Sequence, residues 1–155
     1  MAELLTREVV EVPVEFSAFA LQEENDTEVP APFPEGRDTG SGQALLTAHD
    51  RRIDFASAAH THDATLTAEV WNGEPPTDAG QPWEAQGEAE ILSDSGVLSV
   101  ESMSGTGDGR IELGQPDTLW KVRAYSSGRA AVARLAQVDV PEGVERYLVQ
   151  FWPST

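Results

Sequence analysis

The sequence contains no cysteine, and no apolar run in it approaches the roughly 18 residues that a membrane-spanning helix needs. Without thiols the chain has no disulfide framework, thiolate zinc site or cysteine nucleophile, and nothing in it requires an oxidising compartment. Its first residues carry acidic side chains where a secretory signal has basic ones. We therefore expect a soluble, cytoplasmic protein, and the 155 residues are enough for a single domain over 1–155.

Positive charge is also scarce, since 10 Lys and Arg stand against 27 Asp and Glu, for a formal net charge of -17. The imbalance is confined to residues 1–115, which hold 23 acidic and 5 basic side chains, whereas residues 116–155 hold 4 and 5. A surface of this sign repels phosphates, so we expect neither direct nucleic-acid binding nor membrane binding. Two explanations of the acidity stay open, namely solubility and attraction of a basic protein partner.

Hydrophobic residues mostly alternate with polar ones, which is the period of a half-buried β-strand rather than of a helix. In residues 8–18, Val10, Val12 and Val14 share one face, and Pro13 places this strand near a sheet edge. Similar short segments recur between clusters of Gly, Pro, Asp or Asn. The pattern predicts an all-β fold, an antiparallel β-sandwich of about eight to nine short strands.

One predicted strand, residues 83–91, carries its acids in a row. Small and apolar residues occupy its odd positions, whereas Glu84, Glu88 and Glu90 occupy even positions and share the other face. Like charges arranged in this way are tolerated only on a solvent face. We expect these three carboxylates to form an acidic docking row for a partner.

Two strands near the C-terminus are rich in aromatic residues. In residues 118–127, Trp120 and Val122 share the predicted core face, which leaves Arg123 on the other face. Residues 145–152 are apolar on both faces, which predicts a strand at the centre of a sheet or beneath a partner.

Three segments interrupt the strand pattern. Residues 23–43 are polar and rich in Pro and Gly, which predicts a long flexible loop. Residues 72–82 are predicted to be a hairpin loop between two strands. The alanines of residues 128–138 favour one helical turn, although no good capping residue precedes them.

The motif "HTHD" raises the question of a metal site. His60 and His62 are two residues apart, so on a strand they share a face and are near enough to bind one ion. Zinc sites use three or four ligands, and His49 is the one further histidine. A His49, His60 and His62 metal site is therefore an alternative, beside the simpler interpretation that His60 and His62 are rim residues of a strand that titrate near neutral pH.

No arrangement of residues indicates catalysis. Ser104, in "SMSGTGDG", lacks the strand-turn-helix context of a nucleophile elbow, and the glycines are better explained by a hairpin. The same segment lacks the basic residue and following helix of a phosphate-binding loop. We therefore predict no catalytic residues, no cofactor and no enzymatic activity.

The order of these features resembles that of the ComJ-like family, bacterial inhibitors of DNA-entry nucleases of the NucA type. The resemblance spans most of the chain and implies an all-β protein that binds a cationic nuclease; it supplies no site residues. The matching segments are "VEFSAFAL", "GQALLTAHDRRIDFASA", "ATLTAEVW", "GVLSVESM", "GRIELG" and "DTLWKVRAYSSG".

Charge and resemblance lead to the same functional expectation, an acidic protein-binding module that acts as an inhibitor or immunity-like partner of a basic nuclease. Two alternatives stay open. One is a metal-binding or metal-assisted hydrolytic protein that uses the histidines. The other is a structural module that assembles with itself through its apolar C-terminal strand.

Overall fold

The computed structural model describes residues 2–15, 17–24, 45–49, 51–76, 83–102 and 105–154. Within these ranges the chain forms ten strands and one short helix. In chain order they are β1 (Leu4–Val14), β2 (Ala18–Glu23), β3 (Leu46–His49), β4 (Arg52–Ala56), β5 (His62–Trp71), β6 (Ala85–Ser93), β7 (Val97–Ser102), β8 (Gly105–Glu112), β9 (Thr118–Ser127), α1 (Arg129–Leu135) and β10 (Glu142–Pro153).

The strands form two five-stranded sheets. The first sheet has the order β1-β5-β10-β9-β6, and the second has the order β3-β4-β2-β7-β8. The predicted all-β sandwich is confirmed, with ten strands in place of eight to nine. One pair, β5 with β10, is parallel, which the prediction of an antiparallel sandwich missed because alternation along a strand carries no information about its direction.

The core lies between the sheets and is built from the alternating apolar residues of both. Phe19 of β2 stacks on Phe55 of β4 with ring centroids 4.7 Å apart. Tyr147 of β10 meets Phe19 edge-on at 5.0 Å, which ties the first sheet to the second. Such aromatic pairs contribute about 0.5–1.5 kcal/mol beyond the burial of their area.

Two predicted strand positions are confirmed. β1 is an edge strand of the first sheet. Pro13 has no backbone N–H group to donate, and an edge strand tolerates this because one of its sides is unpaired within the sheet. β10 is the central strand of the same sheet and is paired on both sides. β10 therefore has no unpaired edge to which a second copy of the chain could add a strand. This counts against the alternative that the protein assembles with itself through β10.

The predicted hairpin between β5 and β6 is wrong. These strands occupy the second and fifth positions of the first sheet, so their connection passes the positions of β10 and β9. Arg123 of β9 donates to the Pro75 carbonyl oxygen at 3.0 Å, and Trp83 stacks on Tyr125 at 5.3 Å. Pro75 and Trp83, the described residues with these contacts, thus pack on the outer face of the first sheet, where Arg123 and Tyr125 are buried.

The other predicted interruptions have different outcomes. Nearly all of the loop predicted over 23–43 lies outside the described residues, as does Ser104, while Glu23 is a buried end of β2. The helix α1 has seven residues, about two turns where one was predicted. No helix in the described ranges is long and apolar enough to cross a membrane.

Candidate functional site

Glu88 and Glu90 of the acidic row lie on β6, an edge strand of the first sheet, and Glu84 directly precedes this strand. The alternation predicted from the sequence is confirmed, because Glu88 and Glu90 are exposed while Ile91 faces the core and is buried. Gly87 follows the same parity and packs against Leu46 of the second sheet. The outer face of this edge strand is therefore charged and exposed at Glu88 and Glu90.

Glu88 and Glu90 face the two cations of the neighbouring strand β9. The carboxylate of Glu88, 65% exposed, lies 3.7 Å from the Arg123 guanidinium. Glu90 is opposite Lys121 in the register of the two strands. Arg123 itself is buried and pairs more closely with Glu74, at 2.7 Å. Glu88 is therefore its more distant partner, and both Glu88 and Glu90 keep exposed carboxylates.

Glu84 has a different environment from the rest of the row. Its carboxylate accepts the backbone N–H groups of Arg129 and Ala130, each at 3.0 Å. These are the first two residues of α1, whose N–H groups have no partner within the helix. Glu84 therefore caps α1 from a distant part of the chain.

The histidines do not share one environment. His60 lies in a bend before β5 and is exposed, with Nδ1 2.8 Å from the Thr61 hydroxyl. His62 begins β5 and is buried, so the interpretation of both as rim residues is wrong for His62, which faces the core. The side chain of His49 lies outside the described residues. Among the residues that the structure does describe, no three His, Asp or Glu side chains are grouped so that they could hold a metal ion.

A buried polar cluster at one end of the core surrounds Glu145, which is fully buried at the start of β10. The Ser57 hydroxyl donates to Glu145 Oε1 at 2.7 Å, and the Ala58 backbone N–H donates to Oε2 at 2.9 Å. His62 Nε2 lies 2.8 Å from Ser57 Oγ and 3.4 Å from Glu145 Oε1. The cluster joins the residues after β4 to the first residues of β5 and β10.

Two further groups complete the cluster. The Tyr147 hydroxyl lies 2.9 Å from Glu145 Oε1 and 2.8 Å from the Ala56 carbonyl oxygen. Arg129 of α1 lies 3.3 Å from Glu145 Oε2, which ties the helix to the cluster. The cluster therefore links the residues that follow β4 to β5, β10 and α1 through one carboxylate and its partners.

The cluster shifts the pKa of two of its members in opposite directions. Burial by itself raises the pKa of Glu145, but the hydrogen bonds from His62, Ala58 and Ser57 and the charge of Arg129 outweigh it, so the pKa is lowered from 4.5. Burial, together with the Glu145 charge, raises the pKa of Tyr147 well above 10.0. The cluster thus holds an ionised carboxylate beside a protonated phenol.

Ser57, His62 and Glu145 have the residue types of a hydrolytic triad but a different geometry. In a triad the carboxylate orients the imidazole through the nitrogen remote from the serine. Here Ser57 and Glu145 both contact Nε2, and Nδ1 is buried with no hydrogen-bond partner among the described residues. The serine proton is donated to the carboxylate, so the arrangement fastens the strands together and does not activate a nucleophile.

Glu145 was missed in the sequence, although a signal for it exists. Alternation places Tyr147, Val149 and Phe151 on the core face of β10, and Glu145 has the same parity. A carboxylate on a core face requires several donors near it. The residues that supply them are separated from it by up to 88 positions, which alternation does not reveal.

The fold and its surface together define a class of protein, a two-sheet β-sandwich with an acidic edge strand and a buried polar cluster that serves the fold. No protein-family model matches the chain. No curated protein matches it by sequence.

Solved structures identify the fold more closely. The chain is similar to ComJ from Bacillus subtilis, described as an inhibitor of the DNA degrading activity of NucA, with a TM-score of 0.61 and 13% identity over 99% of both chains. It is also similar to the protein described as crocagin biosynthetic gene J, with a TM-score of 0.62 and 11% identity over 97% of this chain and 100% of that one. The distant resemblance to ComJ that the sequence predicts is confirmed at the level of the fold.

Proposed function

We propose that this protein binds and inhibits a basic nuclease. The observation that carries the proposal is the full-length similarity of fold to ComJ, which inhibits the DNA degrading activity of NucA. The net charge of -17 supports it independently, because a DNA-binding groove is positively charged and an acidic protein is attracted to it.

The proposed docking surface is the outer face of the β6 edge. Glu88 and Glu90 contact the partner, and Glu84 beside them continues the negative charge while it holds α1. The two exposed carboxylates form charge-assisted hydrogen bonds with Arg or Lys side chains that otherwise hold DNA phosphates. Inhibition is steric, since the bound sandwich occupies the groove that DNA enters. In this role the protein carries no catalytic residue and acts in the cytoplasm of the cell that makes the nuclease.

The test is affinity capture from a lysate of the source cells, with the immobilised protein as bait and elution by increasing salt. We expect the salt eluate to contain a basic nuclease that cleaves plasmid DNA, and we expect added protein to block this cleavage at about one equivalent. An immobilised protein in which Glu88 and Glu90 are replaced by Lys is the matched control and retains less nuclease. An eluate without nuclease activity, or cleavage that persists with excess protein, would contradict the proposal.

A further inference from the structure

The outer face of the first sheet carries a groove of about 590 Å³ that the proposed function does not use. It is lined by residues of β1, β5 and β10 together with Pro76 and Trp83. Its apolar walls are formed by Val9, Trp71 and Leu148, and the Trp83 side chain also lines it. A groove of this size, with apolar walls and a comparable share of polar groups, can hold a small ligand or a short chain segment.

The charges in the groove are not equivalent. Glu69 accepts hydrogen bonds from Arg7 at 2.6 Å, from the Trp71 indole at 3.1 Å and from Gln150 Nε2 at 3.2 Å. The charges of Arg7 and Glu69 therefore offset each other within the wall. Arg146 is exposed and has no carboxylate partner among the described residues; its closest polar contact there is the Gly143 carbonyl oxygen at 3.5 Å.

Two polar atoms of the lining lack partners. Gln150 is only 3% exposed, and its Oε1 has no hydrogen-bond partner within the described chain. The same is true of the buried Trp83 Nε1. Leaving such a group unsatisfied costs about 1–3 kcal/mol, a cost that is recovered when a ligand supplies the missing partner. The carboxamide oxygen requires an N–H donor, and the indole N–H requires an oxygen acceptor.

We propose that this groove binds an acylated amino acid residue with a free carboxylate. Its amide N–H bonds to Gln150 Oε1, its acyl carbonyl accepts from Trp83 Nε1, and its carboxylate pairs with Arg146. An apolar side chain lies between Trp71 and Leu148. This chemistry occurs at the C-terminal residue of a polypeptide and in a free N-acyl amino acid. A single carboxylate suits one available cation, whereas a polyanion is repelled by the net charge of -17.

The site is tested by nuclear magnetic resonance on the ¹⁵N-labelled full-length protein. The probes are N-acetyl-leucine, N-acetyl-leucinamide and acetyl-Ala-Ala-Ala-Leu with a free carboxylate. The reporter is the Trp83 indole N–H, identified by its loss in Trp83→Phe. Trp120 is an internal control, because its indole N–H also lacks a partner within the described chain but is buried between the sheets.

We expect N-acetyl-leucine to shift the Trp83 signal saturably and to leave the Trp120 signal in place. The amide should bind at least about tenfold more weakly, which is the effect of losing one charged contact. Arg146→Gln should reduce the affinity for the acid to that for the amide, and Gln150→Leu should weaken both. Lys121→Gln removes an exposed cation of the same face outside the groove and should change neither affinity.

The tetrapeptide separates the two sources. Tighter binding than N-acetyl-leucine identifies a polypeptide C-terminus, and equal or weaker binding identifies a free N-acyl amino acid. The proposal is overturned if neither acid moves the Trp83 signal at millimolar concentration, if acid and amide bind equally, or if Arg146→Gln has no effect. None of these outcomes depends on whether the protein inhibits a nuclease.

Discussion

At the scale of single residues, Glu145 shows how a carboxylate is tolerated in the core of a small β-sandwich. An ionised carboxylate without partners is prohibitively costly there. The cost is offset by hydrogen bonds from Ser57, Ala58 and Tyr147 and by the positive charge of Arg129. The net effect is that the pKa of Glu145 is lowered. The same contacts fix four segments of the chain relative to one another.

The lowered pKa predicts how stability depends on pH. The stability that Glu145 contributes is complete above its ordinary pKa of 4.5 and is lost as the pH falls through the lower pKa of the folded state. Glu145→Gln should lower the free energy of unfolding at neutral pH by about 2–3 kcal/mol. The substitution removes the negative charge of the carboxylate while the hydrogen-bond donors and the Arg129 charge around it stay in place.

The measurement is urea denaturation of both proteins from pH 7 down to pH 3. Below pH 4.5 the wild-type stability should fall more steeply than that of the variant, by up to about 1.4 kcal/mol per pH unit. Glu112→Gln, at an exposed carboxylate of β8, is the control and should behave as wild type at neutral pH. Parallel curves for wild type and Glu145→Gln would show that this carboxylate does not contribute to the acid response.

At the scale of elements, α1 is a seven-residue helix, shorter than helices that are stable alone. Gly128 precedes it with φ of 74°, and a Cβ at this position would clash with the Val144 carbonyl oxygen. Glycine is therefore required there, and glycine has no side chain to cap a helix. Glu84 supplies the cap from 45 residues away.

This arrangement predicts separate effects for residues of the same strand face. Glu84→Ala should lower the free energy of unfolding by about 1 kcal/mol, the usual cost of losing a helix cap. It should also speed amide hydrogen exchange at Arg129 and Ala130, whose N–H groups lose their acceptor. Gln86→Ala, at an exposed position of the same face, should change stability by less than about 0.5 kcal/mol. Equal effects of the two substitutions would mean that Glu84 does not support α1.

At the scale of the whole molecule, the proposed function gives the acidic surplus a role at a distance and the β6 row a role on contact. Steering by net charge raises association rates and weakens as salt screens the charges. The proposed row on β6 adds local contacts to this general attraction. A test of the row must therefore hold the net charge constant.

The prediction concerns Glu88→Lys combined with Glu90→Lys. Against the nuclease recovered by affinity capture, this double variant should associate at least about tenfold more slowly at low salt and show a weaker dependence on ionic strength. The control is Glu11→Lys with Glu112→Lys, which makes the same change of net charge at exposed positions of β1 and β8, away from β6. Association measured by stopped flow should slow less in the control. If both double variants slow equally, net charge and not the β6 row governs recognition.

Much of the fold could be predicted because the direction of a side chain on a strand is a local property. Alternation predicted the exposed face of β6 and the core face of β9, and Pro13 predicted an edge. The interpretation of His62 as a rim residue failed because β5 already begins at His62, where the side chain shares the buried face of Ala64 and Leu66. The hairpin prediction failed for residues 72–82 because nearness in sequence does not decide which strands pair.

The sequence by itself determined the all-β class, the faces of its strands, the acidity and the distant likeness to ComJ, since each is carried by composition or by neighbours in the chain. The tertiary structure alone decided the order of the strands, the parallel pair of β5 and β10, the cap that Glu84 provides, the donors around Glu145 and the groove beside Trp83. Each of these depends on contacts between residues tens of positions apart, and such contacts form only when the two sheets close on one core.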